Sequence, residues 1–451
     1  MIEDVLFAAI WVLLPIFWHL LLRVADISLL RVTIPSFLLI GIYVFQYIGF
    51  PILFFGLDDY RASFVQDKSV MWMVFFYSSI TITLLIVGFI TAKRCFGPIC
   101  DWHKFSPHSH TSENFLDLQR LIVLLLFIVS SLVLFRYVEI IGLGNIALLS
   151  VLEFVNSEFT SEQLRSEMGN AFSGNYHWYK LFMRDLMVVT LYSSFAMYLL
   201  KPRFGNLLLF AMIFVVTSFS MLAAIEKGPF MGQLIGLFLI YVFLRKSGYI
   251  RVKYVVMGVP VLFLVMGISF WLFTGAQDVI DGMQRTFSRM FTGQMQGLYH
   301  YLEIFPESIS FLYGTTFPNP GGLLPYTPFR LTVEVMSIVT PQDAARGVVG
   351  SMPTFFWGEM YANFGFLGVI IPPFFVGFLL YWFNLFIMRL PMTPILVAFL
   401  VWVILHFIEL STTGLSTFII DFYLLLLLTI VMTLLFISSR GIVRLKRIRE
   451  H

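Results

Sequence analysis

The sequence predicts an all-α protein that crosses a membrane about eleven times. Three observations predict it. Hydrophobic residues make up 59% of the chain and charged residues only 12%. Apolar runs of about 20 residues recur along it, the length that spans a hydrocarbon core. The basic residues alternate between successive connecting segments, as they do in polytopic proteins.

The spans are expected near 5–22, 32–55, 70–92, 120–141, 182–200, 206–224, 229–244, 254–274, 360–383, 391–410 and 417–438. The first does not read as a removable signal. Glu3 and Asp4 precede it where such a signal is basic, and no small-residue cleavage site follows. No connecting segment is long enough to fold alone, so 1–451 reads as one membrane domain. With the C-terminus placed inside, the inner segments hold 18 of the 29 basic residues, among them Lys93, Arg94, Arg245, Lys246 and the tail from Arg440 to Arg449. Cytoplasmic loops retain Lys and Arg during insertion. The expected topology is N-terminus outside and C-terminus inside.

Two large outer loops follow, 142–181 and 275–352. The second carries six prolines and the turn cluster Pro318-Asn319-Pro320-Gly321-Gly322. Loops of this length tend to be functional. Within it, 281–305 reads as one amphipathic helix. Met283, Phe287, Met290, Phe291, Met295 and Leu298 are expected on the membrane, with Arg285 and Arg289 sharing the other side at i, i+4.

Ionisable residues near the membrane cluster at one end of the spans: Arg136 and Glu139, Arg184 and Asp185, Glu226 and Lys227, His406 and Glu409, and Asp421. Such residues are costly in a bilayer and are functional or paired. Arg136 with Glu139, and His406 with Glu409, have the spacing of simple intrahelical pairs. As a group they point to a polar cavity open to the outer face.

The net charge of +3 excludes an evident nucleic-acid partner. Cys95 and Cys100 lie near His103, His108 and His110, but their spacing does not match structural zinc patterns, so no metal is expected. No internal repeat is evident, which weakens transporter folds built from repeated halves. A cavity with both signs of charge suits a substrate carrying a phosphate and a hydroxyl. Arg285, Arg289 and Lys227 are the candidate phosphate ligands, because arginine forks onto phosphate and lysine meets it as a point charge. Attraction of the two arginines to anionic lipid headgroups is the alternative.

Three stretches resemble Wzy-type O-antigen and oligosaccharide repeat-unit polymerases of bacterial inner membranes. They are Glu226-Lys227-Gly228-Pro229; Arg285-x-x-x-Arg289 with Tyr301-Leu302-Glu303 and Leu312-Tyr313-Gly314-Thr315-Thr316; and Gly358-Glu359-Met360-Tyr361-Ala362-Asn363-Phe364-Gly365, expected to open a span. The third is the most specific. The resemblance implies a GT-C-like membrane glycosyltransferase, a bacterial inner-membrane location and a periplasmic side for both large loops. It further implies undecaprenyl-pyrophosphate-linked glycans as donor and acceptor, a chain-length regulator protein as partner, the lipid bilayer as surroundings, and no cofactor.

Such a transfer needs cations for the leaving pyrophosphate and a base for the attacking hydroxyl. Arg285, Arg289, Lys227 and Arg165 are the candidate cations, and Glu359 and His300 the candidate bases. Tyr299, Tyr301, Tyr326, Trp357 and Tyr361 could stack on sugars, and Tyr361 with Asn363 could equally lock the loop onto the following span. An O-antigen ligase, a lipid-linked oligosaccharide flippase or other transporter, and a non-catalytic scaffold are the competing readings.

Overall fold

The computed structural model describes residues 2–99, 113–149, 168, 171–172, 174, 176–273, 276–345, 350–390 and 392–449. In chain order the principal helices are α1 (Ile2–Val24), α2 (Ile34–Phe54), α3 (Lys68–Phe96), α4 (Glu113–Ile141), α5 (Met187–Leu200), α6 (Phe204–Leu222), α7 (Lys227–Arg245) and α8 (Val252–Phe273). They continue as α9 (Val279–Phe291), α10 (Gly293–Ile304), α11 (Leu331–Val339), α12 (Phe356–Phe364), α13 (Phe366–Met388), α14 (Pro394–Ile408) and α15 (Phe422–Arg449). The described residues contain no β-strand.

Ten of these helices are long and apolar enough to cross a membrane: α1 to α4, α6 to α8, and α13 to α15. The protein is an all-helical, multi-pass membrane protein. The eleventh expected span, 182–200, is not among the ten. Its first residues, Leu181–Leu186, wind as a π-helix that carries Arg184 and Asp185, and α5 proper has 14 residues. The π-turn is continuous with Tyr176–Lys180 before it and with α5 after it, so the helix as a whole is long enough to cross, and the charges of Arg184 and Asp185 are what lower its apolar character.

Local signals set the helix ends. Thr33 caps α2 by accepting the Ser36 N–H at 3.2 Å, and Asp67 caps α3 by accepting the Ser69 N–H at 2.7 Å. Lys93 and Arg94 occupy the last turn of α3, where cations oppose the negative end of the helix dipole.

The chain divides into two compact units. The first comprises residues 1–100, 284–386 and 406–421. There α3 and α13 approach backbone to backbone. A Cβ on Gly88 would stand 2.2 Å from the Phe374 carbonyl oxygen, and one on Gly377 would stand 2.1 Å from that of Leu85. Small residues permit this close packing of membrane helices. Phe7 stacks on Phe54 at 3.9 Å, and Asn384 accepts the Ile34 N–H at 3.1 Å. The second unit comprises residues 101–283, 387–405 and 422–451. Its core gathers Leu134, Tyr137, Ile141, Met183, Met187 and Ala223. The Tyr192 hydroxyl donates to the Gly232 carbonyl at 3.1 Å.

Two expectations for the 275–352 loop are corrected. The expected helix 281–305 is two helices that break at Thr292. Phe291 just before the break and Met295 and Leu298 beyond it are buried instead of facing the membrane, whereas Phe287 is exposed. The Gly358–Gly365 motif does not open the next span either. It forms the nine-residue helix α12, and Gly365, at φ +60°, turns the chain before α13 begins.

Candidate functional site

The first unit holds three polar clusters, each built on α9, α10 or α12. The first surrounds Arg61, in the segment between α2 and α3. The Arg61 Nε donates to Ser288 Oγ at 3.1 Å, and its Nη1 donates to the Gln296 amide oxygen. The Thr292 hydroxyl, at the helix break, donates to the buried Asp58 carboxylate, which also accepts the Tyr60 N–H at 3.0 Å. Asp58 and Arg61 together tie the segment to the α9–α10 corner. Burial lowers the Arg61 pKa; Asp58 opposes that shift and neighbouring Arg289 adds to it. The guanidinium stays charged all the same.

Arg285 lies over the Tyr60 ring, 5.8 Å from its centroid, within range of a cation–π contact. Arg289 is exposed and makes no hydrogen bond or ion pair among the described residues. Arg61, Arg285 and Arg289 thus surround one corner. Arg61 was not expected from the sequence. Its only signal was its position in an outer loop of the expected topology, among basic residues that the charge count left unassigned.

The second cluster lies on α10. His300 is 7% exposed, and its Nδ1 lies 2.9 Å from Glu303 Oε2. With Nδ1 as donor to the carboxylate, Nε2 is the acceptor nitrogen. That Nε2 is buried and has no hydrogen-bond partner among the described residues. Burial lowers the imidazole's pKa, against the opposing pull of Glu303. The ring is therefore neutral at pH 7, with an unpartnered acceptor nitrogen enclosed in the fold. Tyr299 adds a bond of its own: its hydroxyl oxygen accepts the Asp67 N–H at 3.0 Å.

The third cluster is on α12. Gly358 fits where a Cβ would stand 2.7 Å from Leu298 of α10, so α12 packs closely on α10. Glu359 is buried, and its Oε2 accepts the Ser416 N–H at 2.9 Å. Burial raises its pKa; bonds from Ser416, Thr316 and the Leu415 backbone oppose the rise. Gly414 closes the cradle, because a Cβ there would stand 2.4 Å from the same carboxylate oxygen. His406 Nε2 bonds Asp421 Oδ2, closing the segment that holds Gly414, Leu415 and Ser416. The partner expected for His406 was Glu409, one helical turn away; Asp421 bonds it from beyond the helix end.

Asn363 joins α12 to the 312–316 segment. Its Nδ2 donates to Thr316 Oγ1 and to the Glu359 carbonyl, both at 2.8 Å, and its Oδ1 accepts the Gly314 N–H at 2.8 Å. Tyr361 is buried, its hydroxyl donates to the Phe305 carbonyl at 3.2 Å, and Phe311 and Tyr77 pack on its ring. That geometry makes Tyr361 a brace and leaves no ring face open to a sugar.

The remaining expected residues lie elsewhere. Lys227 belongs to the second unit, where it opens α7. The adjoining Glu226 pairs with Arg184 at 2.6 Å. Arg136 and Glu139 pair with each other at 2.7 Å. Arg165, Cys100, His103, His108 and His110 lie outside the described residues.

No family model matches the chain, and neither a curated protein nor a solved structure does.

Proposed function

We propose that the protein is a membrane glycosyltransferase that polymerises undecaprenyl-pyrophosphate-linked repeat units at the periplasmic face of a bacterial inner membrane. The observation that carries this reading is His300, whose Nδ1 is held by Glu303 while its buried Nε2 has no partner. Nε2 is enclosed, so in this reading the packing around α10 opens to admit an acceptor hydroxyl, which gives up its proton to Nε2 as its oxygen bonds to the donor's anomeric carbon. The bond from that carbon to the pyrophosphate oxygen breaks, and the electron pair leaves with the phosphate. Arg61, Arg285 and Arg289 supply fixed positive charge for it. Of the two candidate bases, His300 is the better placed, since the Glu359 oxygens already accept bonds from the 414–416 segment and from Thr316. Glu359 acts in this reading as the residue that orders that segment.

The test is a gene deletion in the host, with surface glycan resolved by gel. Loss of a polymerase leaves core capped with a single repeat unit. Bare core instead would indicate a ligase or a flippase. Complementation with His300→Ala should reproduce the single-unit pattern.

A further inference from the structure

We propose that a hollow formed by residues 315–329 is a saccharide subsite, taking an uncharged sugar ring of the lipid-linked glycan; this rests on the glycosyltransferase reading above. The hollow is shallow and wide open, and is lined by Thr315, Pro325, Tyr326, Thr327 and Phe329. Two aromatic rings and two threonine hydroxyls suit a pyranose, which has an apolar face and a hydroxylated edge. None of the five lining side chains is charged, so the pyrophosphate end of the substrate has no partner there.

The walls are built in advance of any ligand. Asn319 Nδ2 donates to the carbonyls of Leu324 and Tyr326 at 2.8 and 2.7 Å, and its Oδ1 accepts the Leu324 N–H at 2.9 Å. The Phe329 N–H donates to the Thr315 carbonyl at 2.8 Å, joining the two sides. The next residue, Thr316, bonds Asn363 of α12, so the hollow is continuous with the element that carries Glu359. Such preorganisation limits the entropy lost on binding.

Burial separates Tyr326 from the other aromatic candidates for sugar stacking. Tyr299, Tyr301, Trp357 and Tyr361 are all buried in the fold, whereas Tyr326 is half-buried and lines the hollow.

The test uses the full chain purified in detergent, titrated calorimetrically with the host's repeat-unit oligosaccharide after cleavage from its lipid. Tyr326→Ala should bind roughly two- to tenfold more weakly, the loss of one ring contact. Tyr326→Phe should bind as the wild type does, and Thr327→Val should weaken binding at an unchanged melting temperature. Wild-type affinity in Tyr326→Ala, or no binding of the lipid-free oligosaccharide to the wild type, overturns the assignment. Should Tyr326→Ala fail to fold, wild-type affinity in Thr327→Val overturns it equally. These failures are separate from that of the glycosyltransferase reading, which falls if the deletion strain makes normal glycan.

Discussion

His300 Nδ1 lies 2.9 Å from Glu303 Oε2, one helical turn further along α10. The contact fixes which imidazole nitrogen carries the proton and leaves the buried Nε2 as acceptor.

The first prediction concerns pH. The folded imidazole titrates below its ordinary value, because burial disfavours its charged form. The unfolded chain therefore takes up this proton first as pH falls. Both the neutral base and its contribution to stability are present at neutral pH; the stability contribution is lost as pH drops from about 6.5 toward the lowered value, and the neutral base is lost around that lowered value. Glu303→Gln removes the charge that opposes the shift, so the acid limb of the activity profile should move to lower pH. A pH–rate profile of purified variants reads this directly.

Glu359 and Gly414 should behave as one unit. Glu359→Gln sets an amide among the donors of residues 414–416, at a cost of about 1–3 kcal/mol. Gly414→Ala places a methyl 2.4 Å from the carboxylate oxygen. Each should lower the melting temperature, and the double variant should lower it by less than the sum of the two, since neighbours in one cradle are not additive.

The three arginines divide by role. Arg289→Ala removes an exposed side chain, so the melting temperature should hold while binding of a lipid-linked pyrophosphate weakens. Arg61→Ala strips partners from Ser288, Gln296 and Asp58, so it should lose stability as well, by about 1–3 kcal/mol. Thermal unfolding in detergent, run beside a binding assay, separates the two effects.

Topology gives a fourth prediction. In a background with Cys95 and Cys100 replaced by Ser, Leu323→Cys should react in intact cells with a reagent that cannot cross the membrane holding the protein. The native Cys95, kept alone, should react only after lysis.

Much of the helical frame was legible in the sequence, because a bilayer crossing needs a long apolar run whatever packs against it. The Arg136–Glu139 pair was legible too, since its residues lie one turn apart. Tertiary pairings were not. Ser416 meets Glu359 from 57 positions away, and Asp421 reaches His406 because the chain folds back past the helix end. The break at Thr292 was hidden for the same reason. It depends on Asp58, and on Gly49, where a Cβ would stand 1.9 Å from the Phe291 carbonyl oxygen. One amphipathic period drawn through that break misassigned Met295 and Leu298.

The central claim is polymerisation with His300 as base. The most direct measurement is reconstitution of the purified chain with lipid-linked repeat units and no nucleotide sugar. A ladder of repeat-unit multiples from the wild type, absent with His300→Ala at an unchanged melting temperature, is the predicted result. No ladder from the wild type, or an undiminished one from His300→Ala, would contradict it.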